Sequence, residues 1–140
     1  MATIPDSVRE FMASGPLAHS ITIDPNGTPH VTLMWAGLDG DEFVMASFYG
    51  VDQKKVTNLQ RDPRIVLSLQ AKEYSGDGLY PYLVVQGRAR ITEGGALEVM
   101  DRLAENYIGP GAKFPRRDVP PGLVYHITVE RIYGQGPWRA

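Results

Sequence analysis

The chain has 140 residues, 43% of them hydrophobic and 21% charged, and its formal net charge is −2. This length and balance predict a single globular domain over residues 1–140, and the small net charge argues against a broad nucleic-acid-binding surface. Because the chain contains no cysteine, disulfides, thiolate nucleophiles and cysteine-based metal sites are excluded.

The chain is predicted to begin with a short helix that is followed by three strands joined through tight turns. Pro5 suits the first turn of the helix, which ends near Gly15. The turns Pro25-Asn26-Gly27 and Asp39-Gly40 separate the strands, and turns this tight force neighbouring strands to be antiparallel. The three predicted strands are 17–24, 28–36 and 42–48.

The next predicted element is a short helix with positive charge concentrated at its start. Asp52 is predicted to be its N-cap, and Asp62-Pro63 ends it after Arg61. Lys54 and Lys55 then fall in the first turn, where the helix dipole is already positive. One interpretation is a site for an anion such as phosphate, and the other is two solvated surface lysines.

Two further features bear on the anion interpretation. Asn58 lies three residues after Lys55, on the same side of the helix, and can offer an amide donor. The chain has no GxGxxG and no GxxxxGK[ST] motif, so neither a Rossmann nucleotide site nor a P-loop is predicted.

The second half of the chain predicts three more strands and one more helix. Gly87, inside a long strand, indicates a bulge or a close approach of two backbones. The apolar positions from Ala96 to Tyr107 recur with helical spacing. In order, we predict strand 64–70, loop 71–79, strand 80–91, helix 96–107, irregular segment 108–122 and strand 123–134. Six strands joined largely by short connections predict a mainly β, antiparallel barrel whose ends or seam are covered by three helices.

No catalytic or metal-binding residue is predicted. His19, His30 and His126 lie on different predicted strands and lack HxxxH or HExxH spacing, and no serine lies in a GxSxG context. Arg88 and Arg90 share one face of a strand and are interpreted as solvent-exposed. The chain opens without a charged-then-apolar leader and has no apolar run near the roughly 18 residues of a membrane span, so we expect a cytoplasmic protein without membrane contact.

Aromatic residues gather at the predicted strand ends. Trp35 and Phe48 end two strands, and Tyr80 and Tyr82 begin another. Trp138 lies almost at the end of the chain, where an aromatic residue packs on the core, on a second subunit or on a flat ligand.

Several segments together resemble a known family. The strand HVTLMW (30–35), the strand ending in ASF (46–48) and the following KVTNLQRDPRI (55–65) resemble the split-barrel flavin and deazaflavin oxidoreductases of the pyridoxamine-phosphate-oxidase-like superfamily. MDRLAENYIGPGAKFP (100–115) and IYGQGPW (132–138) resemble its B-type group, which depends on coenzyme F-420. The resemblance covers nearly the whole chain. It implies a six-stranded antiparallel split β-barrel with short flanking helices, which forms a homodimer with shared cofactor clefts.

The resemblance also implies a set of cofactor-binding residues. Lys55 would hold the cofactor phosphate, with Asn58 beside it and Lys54 adding charge. Many relatives carry arginine where this chain has Gln53 and Thr57, which keeps FMN open as an alternative to F-420. The implied residues are Thr32, Leu33, Met34 and Trp35 along the ring, Ser47 and Phe48 near the ribityl phosphate, Lys54, Lys55 and Asn58 at the phosphate, Tyr80 and Tyr82 from the other subunit, and Trp138 over the pocket.

The implied activity is an F-420-dependent reductase that transfers hydride to an electrophilic small molecule such as an enone, a quinone or a tetrapyrrole. In such enzymes the cofactor carries the chemistry, so no catalytic side chain is assigned. The alternatives are an FMN-dependent oxidoreductase of the same fold, a non-catalytic carrier of F-420, and a structural domain without a small ligand. Segments 71–79 and 108–122 are expected to line the open side of the pocket.

Overall fold

The computed structural model describes residues 3–48, 53–74, 76 and 78–138, and within them the chain forms three helices and seven strands. In chain order these are α1 (Asp6–Ala13), β1 (Leu17–Ile23), β2 (Pro29–Met34), β3 (Gly37–Asp39), β4 (Glu42–Ser47), α2 (Lys54–Arg61), β5 (Arg64–Gln70), β6 (Tyr82–Glu93), α3 (Ala96–Tyr107) and β7 (Leu123–Gln135). None of these helices is long and apolar enough to cross a membrane.

All seven strands form one antiparallel sheet in the order β2-β1-β5-β6-β7-β4-β3. Its two edges, β2 and β3, are not paired with each other in the described part of the chain, yet they follow one another directly in sequence. Since β2 ends at Met34 and β3 begins at Gly37, the two edges cannot be more than about 11 Å apart there. The sheet must therefore curve until its edges meet at one corner, and this confirms the predicted split β-barrel.

The predicted count of six strands is wrong by one. Strand β3 was missed because its three residues are too few to show any alternation, but it pairs with β4 through Leu38 opposite Phe43. Strands β2 and β4 are also shorter than predicted, so Trp35 and Phe48 lie just beyond their strand ends.

The starts of two helices also differ from the prediction. Pro5 is the N-cap of α1 rather than a first-turn residue. Helix α2 begins at Lys54 with Gln53 as its N-cap, one residue later than expected, and the predicted cap Asp52 lies outside the described residues. Neither cap makes a side-chain hydrogen bond to its helix.

The hydrophobic core fills the inside of the barrel. Alternate residues of β5, β6 and β7 point inward, as the period of a strand requires, and α1 and α2 add apolar residues to the same core. These buried residues include Ile65, Leu67, Leu69, Leu83, Val85, Tyr125, Ile127, Val8, Met12, Val56 and Leu59. A second cluster joins α3 to the outer side of β4 and β7, so β4 is buried on both faces.

Gly87 has both of the roles that its position in a strand suggests. The pairing of β6 with β7 shifts register between Gln86 and Gly87, which marks a bulge. A Cβ at Gly87 would also lie 2.3 Å from the carbonyl oxygen of Thr128. Both features let the long strands β6 and β7 bend around the barrel.

Candidate functional site

A cavity of about 590 Å³ opens where β1, β2 and β4 meet the start of α2, the helix α3 and the loop after α3. The described residues that line it are Leu17, Ala18, Leu33, Met34, Trp35, Ala46, Ser47, Phe48, Gln53, Lys55, Met100, Tyr107, Phe114 and Arg116. The loop residues among them confirm that segment 108–122 borders the pocket. Most of the lining is apolar, and none of these residues is Asp or Glu.

Four aromatic rings form one wall of the cavity. Trp35 and Tyr107 are stacked, with ring centroids 5.2 Å apart and planes within 2° of parallel. The ring of Phe114 is T-shaped to that of Trp35, with centroids 5.8 Å apart. Its centroid also lies 5.1 Å from that of Phe48. A wall of contiguous aromatic faces suits a flat conjugated ligand, because offset stacking adds to the free energy of burial.

Tyr107 holds this wall in place through its hydroxyl group. The hydroxyl accepts a hydrogen bond from the Ala36 N–H at 3.1 Å and donates to the Pro16 carbonyl at 2.8 Å. Burial raises the pKa of Tyr107 above its ordinary value, so the group stays a neutral phenol that can serve both roles. The contacts tie α3 to the segments before β1 and after β2, which are the segments that present Leu17 and Trp35 to the cavity.

Lys55 is the charged group on the α2 side of the cavity. Its Nζ donates to the sulfur of Met34 at 3.3 Å, and the side chain is half-buried. Desolvation lowers the pKa of Lys55 below its ordinary value of 10.5, and no carboxylate of a described residue pairs with the ammonium group to offset this burial. An ammonium in this position gains free energy from any anion that enters the cavity.

Lys54 and Asn58 have a different role from Lys55. Lys54 is exposed, and its Nζ forms an ion pair with Asp24 at 3.2 Å. The amide nitrogen of Asn58, a buried residue, donates to Thr22 Oγ1 at 3.1 Å and to Asp24 Oδ1 at 3.0 Å. These donors lower the pKa of Asp24, the Asn58 bond most strongly. The two residues thus fasten α2 to the end of β1 and do not line the cavity.

Two polar groups at the site have no partner among the described residues. Gln53 Oε1 is buried without a hydrogen bond although Gln53 lines the cavity, and Thr32 Oγ1 on β2 is buried without one as well. Ser47, in contrast, shares a hydrogen bond of 3.0 Å with the hydroxyl of Tyr125. A buried oxygen without a partner costs free energy, and of these two oxygens only that of Gln53 belongs to a residue that lines the cavity.

The structure brings half of the twelve predicted site residues together around this cavity. Those residues are Leu33, Met34, Trp35, Ser47, Phe48 and Lys55. Thr32, Lys54 and Asn58 lie beside it without lining it. Tyr80, Tyr82 and Trp138 do not line it either. Tyr80 contacts Tyr74. The Nε1 of Trp138 donates to the Tyr82 carbonyl at 3.1 Å, and the ring centroids of Trp138 and Phe11 are 4.6 Å apart. The predicted contact of the two tyrosines with a cofactor in another subunit stays a prediction.

Sequence reasoning missed several residues of the cavity, above all Tyr107, Phe114 and Arg116. Tyr107 and Met100 were predicted to lie in helix 96–107, but this helix was not connected with the site. Phe114 and Arg116 lie in an irregular loop whose path depends on tertiary contacts. None of His19, His30 and His126 lines the cavity, and no cluster of potential metal ligands exists in the described part of the chain.

Comparisons with known proteins agree with this fold. The sequence profile of the family described as pyridoxamine 5'-phosphate oxidase matches residues 4–136, whereas a comparison with curated proteins found no match. Among solved structures, the chain is similar to an F-420 reductase, with 22% identity, a TM-score of 0.71 and coverage of 93% of this chain and 98% of that one.

Two other solved structures are similar to a comparable degree. A conserved hypothetical protein from Mycobacterium tuberculosis is 22% identical with a TM-score of 0.71, covering 96% of this chain and 86% of that one. HutZ, a heme storage protein from Vibrio cholerae, is 15% identical with a TM-score of 0.66, covering 96% of each chain. At these identities the structural likeness establishes the fold alone.

Replacing Tyr107 by Phe tests whether its hydroxyl supports the cavity wall. The buried Ala36 N–H would lose its partner, so we expect the free energy of unfolding to fall by about 1–3 kcal/mol. Tyr80→Phe is the matched control, because Tyr80 is exposed and its variant should change the value by less than about 0.5 kcal/mol. Denaturant unfolding measures both, and equal effects would contradict the role given to Tyr107.

Proposed function

Because the chain belongs to the pyridoxamine 5'-phosphate oxidase family, we propose that its cavity binds a flavin-type cofactor, coenzyme F-420 or alternatively FMN. We further propose that the protein is a reductase, which passes hydride to an electrophilic small molecule such as an enone, a quinone or a tetrapyrrole. The observation that carries the proposal is an ammonium group, that of Lys55, in an aromatic cavity that has no carboxylate among its described lining residues.

The described residues fit such a cofactor at both of its ends. The wall of Trp35, Tyr107, Phe48 and Phe114 offers faces for a planar ring. Lys55, at the positive end of α2, offers a charge and a dipole to a phosphate. The unpaired Oε1 of Gln53 can accept a hydrogen bond from a ring N–H or a ribityl hydroxyl.

The protein's part in the reaction is to position the cofactor and exclude water. When bound, a flavin or deazaflavin supplies the hydride, so the chain itself needs no nucleophile or metal. The aromatic wall shields one side of the cavity from solvent, and the apolar side chains of Leu17, Ala18 and Met100 line other parts of it. This lowers the local dielectric and strengthens the interaction of Lys55 with an anion.

A heme is the second candidate ligand, since one similar structure is a heme storage protein. The described lining of this cavity contains the thioethers of Met34 and Met100 but no histidine, and the Met34 sulfur already accepts a hydrogen bond from Lys55. Besides these thioethers the described lining offers an iron the phenol of Tyr107, whose hydroxyl is already hydrogen-bonded to Ala36 and Pro16, so we rank heme second.

We also propose that the protein is a homodimer in which the outer face of the sheet joins two copies. The pairing register places Leu33, His19, Ser68, Val84 and Tyr133 in one outward-facing row across five strands. Leu33 is 69% exposed, and Tyr133 is 40% exposed. Large apolar side chains exposed on one face of a sheet are typical of an interface. Because Leu33 also borders the cavity, a copy seated here would lie beside the cofactor site.

Titration of the purified protein with F-420 and with FMN tests the cofactor. We expect Lys55→Met to weaken binding of the preferred cofactor by about 1.5–3 kcal/mol, or about ten- to a hundredfold, because one charge-assisted bond to phosphate is lost. Lys54→Met is the matched control and should change affinity by less than about threefold, since Lys54 pairs with Asp24 at the surface.

The corresponding phosphate-free compounds, riboflavin and the deazaflavin chromophore, should bind both variants with nearly equal affinity. Equal losses in Lys54→Met and Lys55→Met, or an unchanged affinity in Lys55→Met, would contradict the proposed phosphate contact.

A substrate panel separates a reductase from a carrier. With reduced cofactor bound, we expect the protein to oxidise it in the presence of at least one enone, quinone or tetrapyrrole, at a rate above that of free cofactor. The oxidation is followed by the absorbance of the reduced ring. Tight binding without acceleration by any member of the panel would leave the carrier as the function.

A charge placed on the outer face tests the dimer. We expect Val31→Asp to produce monomers, because Val31 lies on that face and is 52% exposed, and a charge buried without a partner in an interface is costly. Sedimentation velocity measures the change. Ile108→Asp, at an exposed apolar residue after α3, is the control that should keep the wild-type mass. A wild-type protein that sediments as a monomer would contradict the proposal.

A further inference from the structure

One carboxylate of α3, that of Asp101, holds the middle of the irregular segment that follows this helix. Asp101 Oδ1 accepts hydrogen bonds from the Phe114 N–H at 2.9 Å and from Arg117 at 2.7 Å, and Oδ2 accepts from Arg117 at 3.1 Å. Arg117 also donates to the Phe114 carbonyl at 3.2 Å. The side chain of Asp101 is only 18% exposed, so this bidentate pair is partly shielded from water.

This fastening determines where the loop meets the cavity. Both backbone polar groups of Phe114 are held by the Asp101–Arg117 pair, and the ring of Phe114 lies against Trp35 and Phe48 at the cavity wall. Segment 108–122 contains no helix or strand. The position of this part of the wall therefore depends on Asp101 rather than on regular backbone hydrogen bonding.

Arg116, between Phe114 and Arg117 in the chain, lines the cavity. It makes no hydrogen bond or ion pair with any described residue, whereas its neighbour Arg117 is paired with Asp101. The start of α2 repeats the arrangement: Lys54 is paired with Asp24, and Lys55 lines the cavity without an ion pair to any residue that the structure describes. In each adjacent basic pair, one cation fastens the segment and the other remains available to a ligand.

We propose that Arg116 binds a second acidic group, in addition to the one at Lys55, and that Asp101 positions Arg116 by holding the loop. This inference rests on the proposed function, since it assumes that a flavin-type cofactor occupies the cavity. A carboxylate or a phosphoryl group fits the guanidinium equally well. The acidic group belongs either to an extension of the cofactor or to an acidic substrate bound beside it.

Binding assays with matched probes test the role of Arg116. The cofactor probes are F-420 with its carboxylate-bearing tail and the same deazaflavin phosphate without the tail, and the substrate probes are an enone carboxylate and its methyl ester. We expect Arg116→Gln to weaken binding, or to raise KM, about tenfold for the carboxylate-bearing member of one pair and less than about twofold for the member that lacks this carboxylate. The pair that responds identifies whether the cofactor or the substrate carries the acidic group.

Lys113→Gln is the matched control, because it removes a positive charge from the same exposed loop at a residue that does not line the cavity. With Lys113→Gln, the affinity or KM for every probe should stay within about twofold of the wild-type value. If Arg116→Gln and Lys113→Gln behave alike with all four probes, the inference is overturned while the proposed function stands. If wild type binds neither F-420 nor FMN, the proposed function fails and the inference fails with it.

A double-mutant cycle tests the positioning role of Asp101. Asp101→Asn loses the bidentate pair, so Arg116 should no longer be held at the cavity. Adding Arg116→Gln to this variant should then weaken binding of the acidic probe, or raise its KM, by less than about threefold. A merely structural role for Asp101 would leave the effect of Arg116→Gln at about tenfold in that background, and that result would overturn the positioning role. Asp101→Glu, which keeps the carboxylate, should retain part of the preference for the acidic probe over its matched partner. Thermal unfolding shows whether each variant is folded.

Discussion

A half-buried ammonium group that pairs with no carboxylate among the described residues is the constraint on which the rest of the site depends. Lys55 lies against the sulfur of Met34, and desolvation lowers its pKa because nothing negative in the described cavity offsets the charge. Such a group would move toward water if α2 were free to shift. The helix stays in place chiefly because the buried Asn58 donates to Thr22 and Asp24 at the end of β1. Lys55 therefore remains half-buried, and an anionic group of a ligand can offset the free-energy cost of burying its charge.

A second pair of adjacent basic residues, Arg116 and Arg117, also has separate partners. Arg117 is fastened to Asp101, while Arg116 lines the cavity without a partner among the described residues. Stacked and tilted aromatic rings line the same cavity. The site therefore combines aromatic surface with positive charge contributed by two separate elements. This combination suits a ligand with a conjugated ring and acidic groups.

Much of the fold and half of the site could be predicted from local patterns. Strand 64–70 and helix 96–107 have the predicted bounds, because their apolar periodicity is uninterrupted. Gly87 was identified as a bulge because glycine inside a strand has few other uses. Strand β3 was missed because three residues carry no periodicity. Phe114 and Arg116 were missed because a loop rich in proline and glycine follows no repeating pattern, and its path is determined by a distant carboxylate on α3.

By itself, the sequence determined the antiparallel β class, the short helix with two lysines in its first turn, and the resemblance to one family of cofactor-binding barrels. These conclusions depend on spacing along the chain, which a sequence shows directly. The tertiary structure alone decided which lysine of the pair lines the cavity, that Tyr107 braces the aromatic wall, and that Arg116 rather than Arg117 borders the site. Each of these depends on which carboxylate or carbonyl lies nearby in space, and sequence separation of up to 91 residues hides that information.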